Sequence, residues 1–119
     1  MKKLIIILIA ILAFTISCYS QSNIIDKKAE KYVEKMNNYI TSVNKDLALS
    51  NEQRVKILEI QKLRIVAHDK IKEQENNLAK RRELNKPINK KYGRMINVDV
   101  LSKEQYEAFK KGKKLSKSK

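Results

Sequence analysis

The sequence predicts an all-α fold, a long helical hairpin followed by shorter C-terminal helices. The 119 residues include two glycines, one proline and no tryptophan, while Lys, Glu, Leu and Gln, which all favour helices, are abundant. Apolar residues recur at steps of three and four, which is the period of a helix. No stretch after residue 20 shows the period-two alternation that is typical of strands.

The first 20 residues are predicted to be a secretory signal peptide. Lys2 and Lys3 precede an apolar run from Leu4 to Ile16, and small and polar residues follow it. This order of a charged, an apolar and a cleavable region is typical of signal peptides. The run of about 13 residues is shorter than the roughly 20 that a membrane-spanning helix needs. We therefore expect cleavage after Ser20 and export to the periplasm.

An alternative interpretation concerns Cys18, the only cysteine in the chain. In this interpretation Cys18 is the acylated residue of a bacterial lipoprotein, and the protein stays anchored to the membrane. Thr15 occupies a position where such sites usually have leucine, which favours the signal peptide instead. After cleavage at Ser20 no cysteine remains, so helix packing or association with another chain must stabilise the mature protein.

The mature part is strongly basic. Loss of 20 of the 119 residues leaves about 99, enough for one small domain, which we place at residues 21–111. Removing Lys2 and Lys3 lowers the formal net charge from +14 to about +12. Such a surface attracts acidic protein segments, anionic lipid headgroups or nucleic acid. Export disfavours nucleic acid as the partner, because little of it is found outside the cytoplasm.

Two long helices form the predicted hairpin. The first is expected from about Asn23 to Asp46, where apolar residues line one face. The second is expected from Ser50 to about Leu84, with Ser50 as the N-cap and Gln53 as the third residue of a capping box. Its first half carries apolar side chains on several sides. This pattern predicts more than one covering neighbour, or a surface that stays free for a partner.

Shorter elements complete the predicted fold. Pro87 is expected to end or kink the second helix because it lacks an N–H, and a third helix is expected from about Pro87 to Ile96. The last helix is expected to start at Ser102, with Gln105 in the capping-box position. Residues 112–119 are rich in lysine, and we expect this tail to be disordered.

A short motif occurs twice. The sequence Leu49-Ser50-Asn51-Glu52-Gln53 returns as Leu101-Ser102-Lys103-Glu104-Gln105, with four of the five positions identical. Both copies lie where a helix is predicted to start. The motif residues are Leu49, Ser50, Gln53, Leu101, Ser102 and Gln105.

With these two copies the chain resembles the Spy/CpxP family of bacterial periplasmic proteins, whose signature is a twice-occurring Leu-Thr-x-x-Gln. Serine replaces threonine here, which keeps the capping hydroxyl. The resemblance covers about Leu47 to Lys111. It implies an all-helical, cradle-like antiparallel dimer with a basic, partly apolar concave face. It also implies an ATP-independent holding chaperone for unfolding envelope proteins, or a regulator of envelope-stress sensing.

The residues suit such a function independently of the resemblance. Lysine and arginine attract acidic segments of an unfolding protein at long range, and exposed apolar side chains then make short-range contacts. The alternative for each apolar residue is an ordinary core position. The candidates for binding unfolded proteins are Arg54, Ile57, Leu58, Lys62, Arg64, Ile65, Lys70, Ile71, Lys72, Lys80, Arg81 and Arg82.

Motifs for catalysis, metal binding or cofactor binding are not found in the sequence. His68 is the single histidine, and its neighbour Asp69 cannot face it on a helix. No Cys/His cluster suits zinc, and no glycine-rich loop suits phosphate. We therefore expect neither an enzyme nor a cofactor. A second hypothesis stays open, a non-chaperone protein whose basic face docks on an acidic membrane surface or a sensor domain.

Overall fold

The computed structural model describes the backbone of residues 2–118 and the side chains of residues 23–118. In this part the protein is all-α, which confirms the predicted fold class. Helix α1 spans Lys2–Val43, α2 spans Asn51–Gln74, α3 spans Leu78–Arg94 and α4 spans Lys103–Lys117. A 3₁₀ turn connects α1 to α2, and a π-helical segment, Met95–Val100, follows α3.

The predicted signal peptide, residues 1–20, has its side chains outside the described part. Among the residues that the structure describes, no helix combines the length and the apolar character that crossing a membrane requires.

Helices α1 and α2 form the predicted hairpin, and α4 and α3 lie at its two sides. The hairpin is antiparallel, since Arg54 pairs with Glu34 and Lys62, further along α2, pairs with Asp26. Helix α4 packs on α1, and α3 packs on α2. Within residues 23–118 no contact joins α3 to α1 or to α4. The order across the molecule is therefore α4, α1, α2 and α3, and the start of α2 also reaches the start of α4 through side-chain hydrogen bonds.

The buried core lies where the hairpin meets the π-helical segment and the start of α4. Four large side chains in it are completely buried, namely Met36, Ile40, Ile57 and Ile96. Each contributes about 1.5–3 kcal/mol relative to an exposed position. The other buried apolar side chains are Ala29, Val33, Leu49, Leu101 and Ala108. The leucines of both motifs thus belong to the core.

Helix α2 ends at Gln74 and α3 begins at Leu78, so the prediction of one helix through Leu84 is wrong. Asn77 caps α3, because its side chain accepts a hydrogen bond of 3.2 Å from the backbone N–H three positions later. Arg81 donates to two carbonyls at the C-terminal end of α2. The break is stable because these side chains supply partners for backbone groups that a helix end leaves unpaired.

Pro87 lies inside α3, so of the two effects predicted for it, an end or a kink of the helix, the end is wrong. Its missing N–H frees only the carbonyl of Glu83, and both residues are exposed. Water reaches such a carbonyl, so the helix continues without a buried unpaired group. The predicted third helix therefore begins nine residues early, at Leu78.

Helix α4 continues through Lys117, so the prediction of a disordered tail from residue 112 is wrong as far as this residue. The physical reason is Gly112, which is buried against the backbone of Tyr39. A Cβ atom at Gly112 would lie 2.0 Å from the carbonyl oxygen of Tyr39. The absence of a side chain lets the backbones of α4 and α1 approach closely, and this contact holds the end of α4 on the hairpin.

Candidate functional site: the paired motifs and the surface of α2

Both copies of the motif form the capping boxes that the sequence predicts. The hydroxyl of Ser50 accepts a hydrogen bond of 3.1 Å from the backbone N–H of Gln53, whose Oε1 accepts one of 3.0 Å from the backbone N–H of Ser50. Ser102 and Gln105 make the same two hydrogen bonds at the same two distances. Two backbone donors at each helix start are thereby satisfied.

The two glutamines also bind each other. Nε2 of Gln53 lies 2.7 Å from Oε1 of Gln105, and Nε2 of Gln105 lies 3.0 Å from Oε1 of Gln53. The second N–H of each amide reaches a backbone carbonyl at 3.1 Å, that of Val100 for Gln53 and that of Leu47 for Gln105. Each amide therefore uses both donors and both acceptor sites. The paired motifs join the start of α2 to the start of α4.

Some of the residues predicted to bind unfolded proteins, here called client-binding residues, instead contact other parts of the fold. Ile57 has no exposed surface and belongs to the core, which is the alternative that the sequence left open for each apolar candidate. Arg54 forms an ion pair of 2.6 Å with Glu34, and Lys62 forms one of 2.9 Å with Asp26. These two cations tie α2 to α1, which reduces the charge that they offer to a partner.

Arg64 is also engaged, in a polar cluster between α1, α2 and α3. Its guanidinium lies 6.0 Å from the ring centroid of Tyr32, and its Nε donates a hydrogen bond of 3.1 Å to Oδ1 of Asn89. Nε2 of His68 lies 2.8 Å from the same oxygen. The Asn89 side chain thus fixes α3 on α2, and His68 takes part in this structural contact.

The burial of Tyr32 makes the free energy of unfolding depend on pH. Burial raises its pKa above the ordinary value of 10.0, and the nearby Arg64 partly opposes the shift. Above about pH 10 the unfolded chain loses this proton while the folded protein keeps it, so the free energy of unfolding falls as the pH rises through this window. We expect Tyr32→Phe to show a smaller fall than wild type between about pH 9 and about pH 10.5 in urea unfolding. An identical fall in both proteins would contradict the assignment.

Other predicted residues keep accessible surface. The apolar candidates Leu58, Ile65 and Ile71 are half-buried. The cationic candidates that are exposed, and that form no ion pair within residues 23–118, are Lys70, Lys72, Lys80 and Arg82. Arg81 is half-buried at the junction of α2 and α3.

Helix α2 exposes apolar side chains that were not among the predicted site residues. Val55 and Leu63 are each 55 % exposed and Val66 is 38 % exposed. Val55 and Val66 are eleven residues apart, which is three helical turns, and Leu63 precedes Val66 by one turn. We call these three residues the α2 apolar face. The sequence contained the signal for it, because the apolar residues of this helix extend beyond the stripe that packs on α1.

A groove of about 350 Å³ lies between α1 and the C-terminal part of α2. Its lining combines apolar and charged side chains, namely Ile24, Ile25, Val66, Asp69, Lys70, Lys72 and Glu73. Ile24 is 58 % exposed. The groove continues the α2 apolar face and places two unpaired lysines beside it.

The described side chains do not suggest a metal centre, since residues 23–118 hold no group of three or more His, Cys, Asp or Glu placed to bind a metal ion. Comparisons with protein-family models, curated proteins and solved structures found no match.

Proposed function

We propose that the protein is an ATP-independent holding chaperone of the bacterial periplasm that binds unfolding envelope proteins. The observation that supports this best is the α2 apolar face, exposed beside unpaired lysines. Isolated exposed apolar residues are ordinary on any protein surface. Three of them on one side of one helix, continuing into a groove with Ile24, form a patch of the kind that marks interaction sites.

The charges and the apolar residues have separate parts in this proposal. Lys70, Lys72, Lys80 and Arg82 attract acidic segments of a client over about 10 Å at moderate salt. The α2 apolar face then contacts apolar segments at short range, and the lysine stems add apolar surface beneath their charged heads. Neither step requires a nucleotide. The resemblance to the Spy/CpxP family points to the same function.

Export and pairing belong to the same proposal. Residues 1–20 direct export and are removed after Ser20, or Cys18 becomes the lipid anchor in the alternative interpretation. A mass measurement of the mature amino terminus distinguishes the two. The resemblance implies a homodimer, and the solution mass of the mature protein tests this.

Replacing Leu63 and Val66 by serine is expected to weaken chaperone activity. Both side chains are substantially exposed, so the fold should keep its stability while the contact with a client loses about 1 kcal/mol, or about fivefold in affinity. The measurement is light scattering of a denatured envelope protein without ATP, at low and at moderate salt. About fivefold more variant than wild type should be needed for half-suppression.

Val98→Ser with Leu115→Ser is the matched control, because these residues are 65 % and 52 % exposed on other elements. The control is expected to suppress aggregation as wild type does. Absence of suppression by folded wild-type protein at either salt would reject the chaperone function. Equal activity of both double variants would reject only the α2 apolar face as its site.

A further inference from the structure

Helix α4 carries a basic surface that the proposed chaperone site does not use. Four of its lysines are spaced at i, i+3, i+4 and i+7 and therefore share one helix face, opposite the buried Gln105, Ala108 and Gly112. We call them the α4 lysine face, which comprises Lys110, Lys113, Lys114 and Lys117. Residues 108–119 contain no acidic residue.

Aromatic rings border this face along the contact between α4 and α1. The ring centroids of Tyr39 and Phe109 are 6.0 Å apart. Nζ of Lys113 lies 5.8 Å from the Phe109 centroid, and Nζ of Lys110 lies 4.6 Å from the Tyr106 centroid. The three rings are half-buried. The surface therefore presents ammonium groups that lie over aromatic rings.

The α4 lysine face has few acidic neighbours. Lys56 and Lys62 on α2 pair with carboxylates, whereas on α4 only Lys110 does so, with Glu107 at 3.1 Å. Lysines three and four residues apart on a helix repel each other. An anionic partner would relieve this repulsion, and its affinity would fall with added salt.

We propose that the α4 lysine face docks the protein on an anionic lipid surface. The four lysines lie along about 10 Å of a single exposed helix face and point to one side, which matches a planar layer of headgroups. Half-buried aromatic rings at its border suit the depth of the headgroups, where such rings are enriched. The groove between α1 and α2, which lies elsewhere on the fold, balances its two lysines with Asp69 and Glu73 and is therefore less suited to an anionic partner. Docking through α4 leaves the α2 apolar face free for clients.

The test compares Lys113→Gln, Lys114→Gln, Lys117→Gln with the control Lys56→Gln, Lys70→Gln, Lys72→Gln, which removes equal charge from α2. The chain from Gln21 to Lys119 is used, since the buried core described here lies between Ala29 and Gly112. Co-sedimentation is measured with phosphatidylcholine vesicles containing none or about 30 % phosphatidylglycerol. Wild type should bind only the anionic vesicles, and less as salt rises.

Each lysine near an anionic surface contributes about fivefold in affinity, so the α4 variant should lose about 100-fold and the α2 control less than about tenfold. Equal losses would overturn the proposal, because they would show attraction to net charge alone. Unchanged binding by the α4 variant would overturn it as well.

The same variants are tested for suppression of client aggregation. If the α4 variant binds anionic vesicles normally but fails to suppress aggregation, its lysines serve polypeptides and the lipid proposal is wrong, while the chaperone function stands.

Discussion

Replacing Gly112 by alanine is expected to destabilise the protein by about 2 kcal/mol, the usual cost of overpacking a tight contact. The added Cβ would lie 2.0 Å from the carbonyl oxygen and 2.7 Å from the carbonyl carbon of Tyr39. These are backbone atoms of Tyr39, in the last turns of α1, so no side-chain rotation relieves the clash. Helix α4 must move away from α1, which loosens the packing of Ala108 in the core. Urea unfolding followed by circular dichroism measures the effect.

Gly93→Ala is the matched control. Gly93 also lies in a helix, and its added Cβ would meet no atom within 4 Å. Alanine restricts the unfolded chain more than glycine does, so this variant should gain about 0.5–1 kcal/mol. If Gly112→Ala proves as stable as Gly93→Ala, the close approach of α4 to α1 is not present in solution.

The sequence predicted the starts of α2 and α4 accurately because these two starts depend on local chemistry. A capping box requires only a hydroxyl and a side-chain amide three residues apart, and Ser50 and Ser102 both provide it. The start of α3 is equally local, since Asn77 caps it, yet it was missed. The charged and polar residues before Asn77 are typical of a continuing exposed helix, and no sequence pattern indicates that Arg81 caps the end of α2.

Contacts between distant residues could not be predicted in the same way. Gly112 has the neighbours of a flexible lysine-rich tail in the sequence, and only the nearby Tyr39 backbone explains its burial. Ion pairing likewise decided which cations stay available, because the partners of Arg54 and Lys62 lie about 20 and 36 positions earlier in the chain. The sequence indicated that the surface would be basic and partly apolar. Tertiary packing determines which of the basic and apolar residues are exposed on it.

The mutual pairing of Gln53 and Gln105 leads to the second large expected effect. Methionine has a similar volume and no hydrogen-bonding amide, so Gln105→Met removes the partners of Leu47, Ser102 and Gln53 while it keeps the packing. Several partly buried polar groups are then left unpaired, and we expect a loss of about 3 kcal/mol. Gln53→Met should lose somewhat less, because Gln53 is more exposed than Gln105.

The double variant distinguishes a pair from two separate caps. Once one amide is absent, the other has already lost its partner, so the double variant should lose about 1–2 kcal/mol less than the sum of the single variants. Gln61→Met is the control for burying methionine, since Gln61 is 9 % exposed and its Oε1 has no hydrogen-bond partner among the described residues. This control should be neutral or stabilise by up to about 1 kcal/mol. Strictly additive losses in urea unfolding would mean that each motif only caps its own helix. A coupled loss would show that the repeated glutamine joins α2 to α4, which explains why the same five-residue pattern occurs at both helix starts.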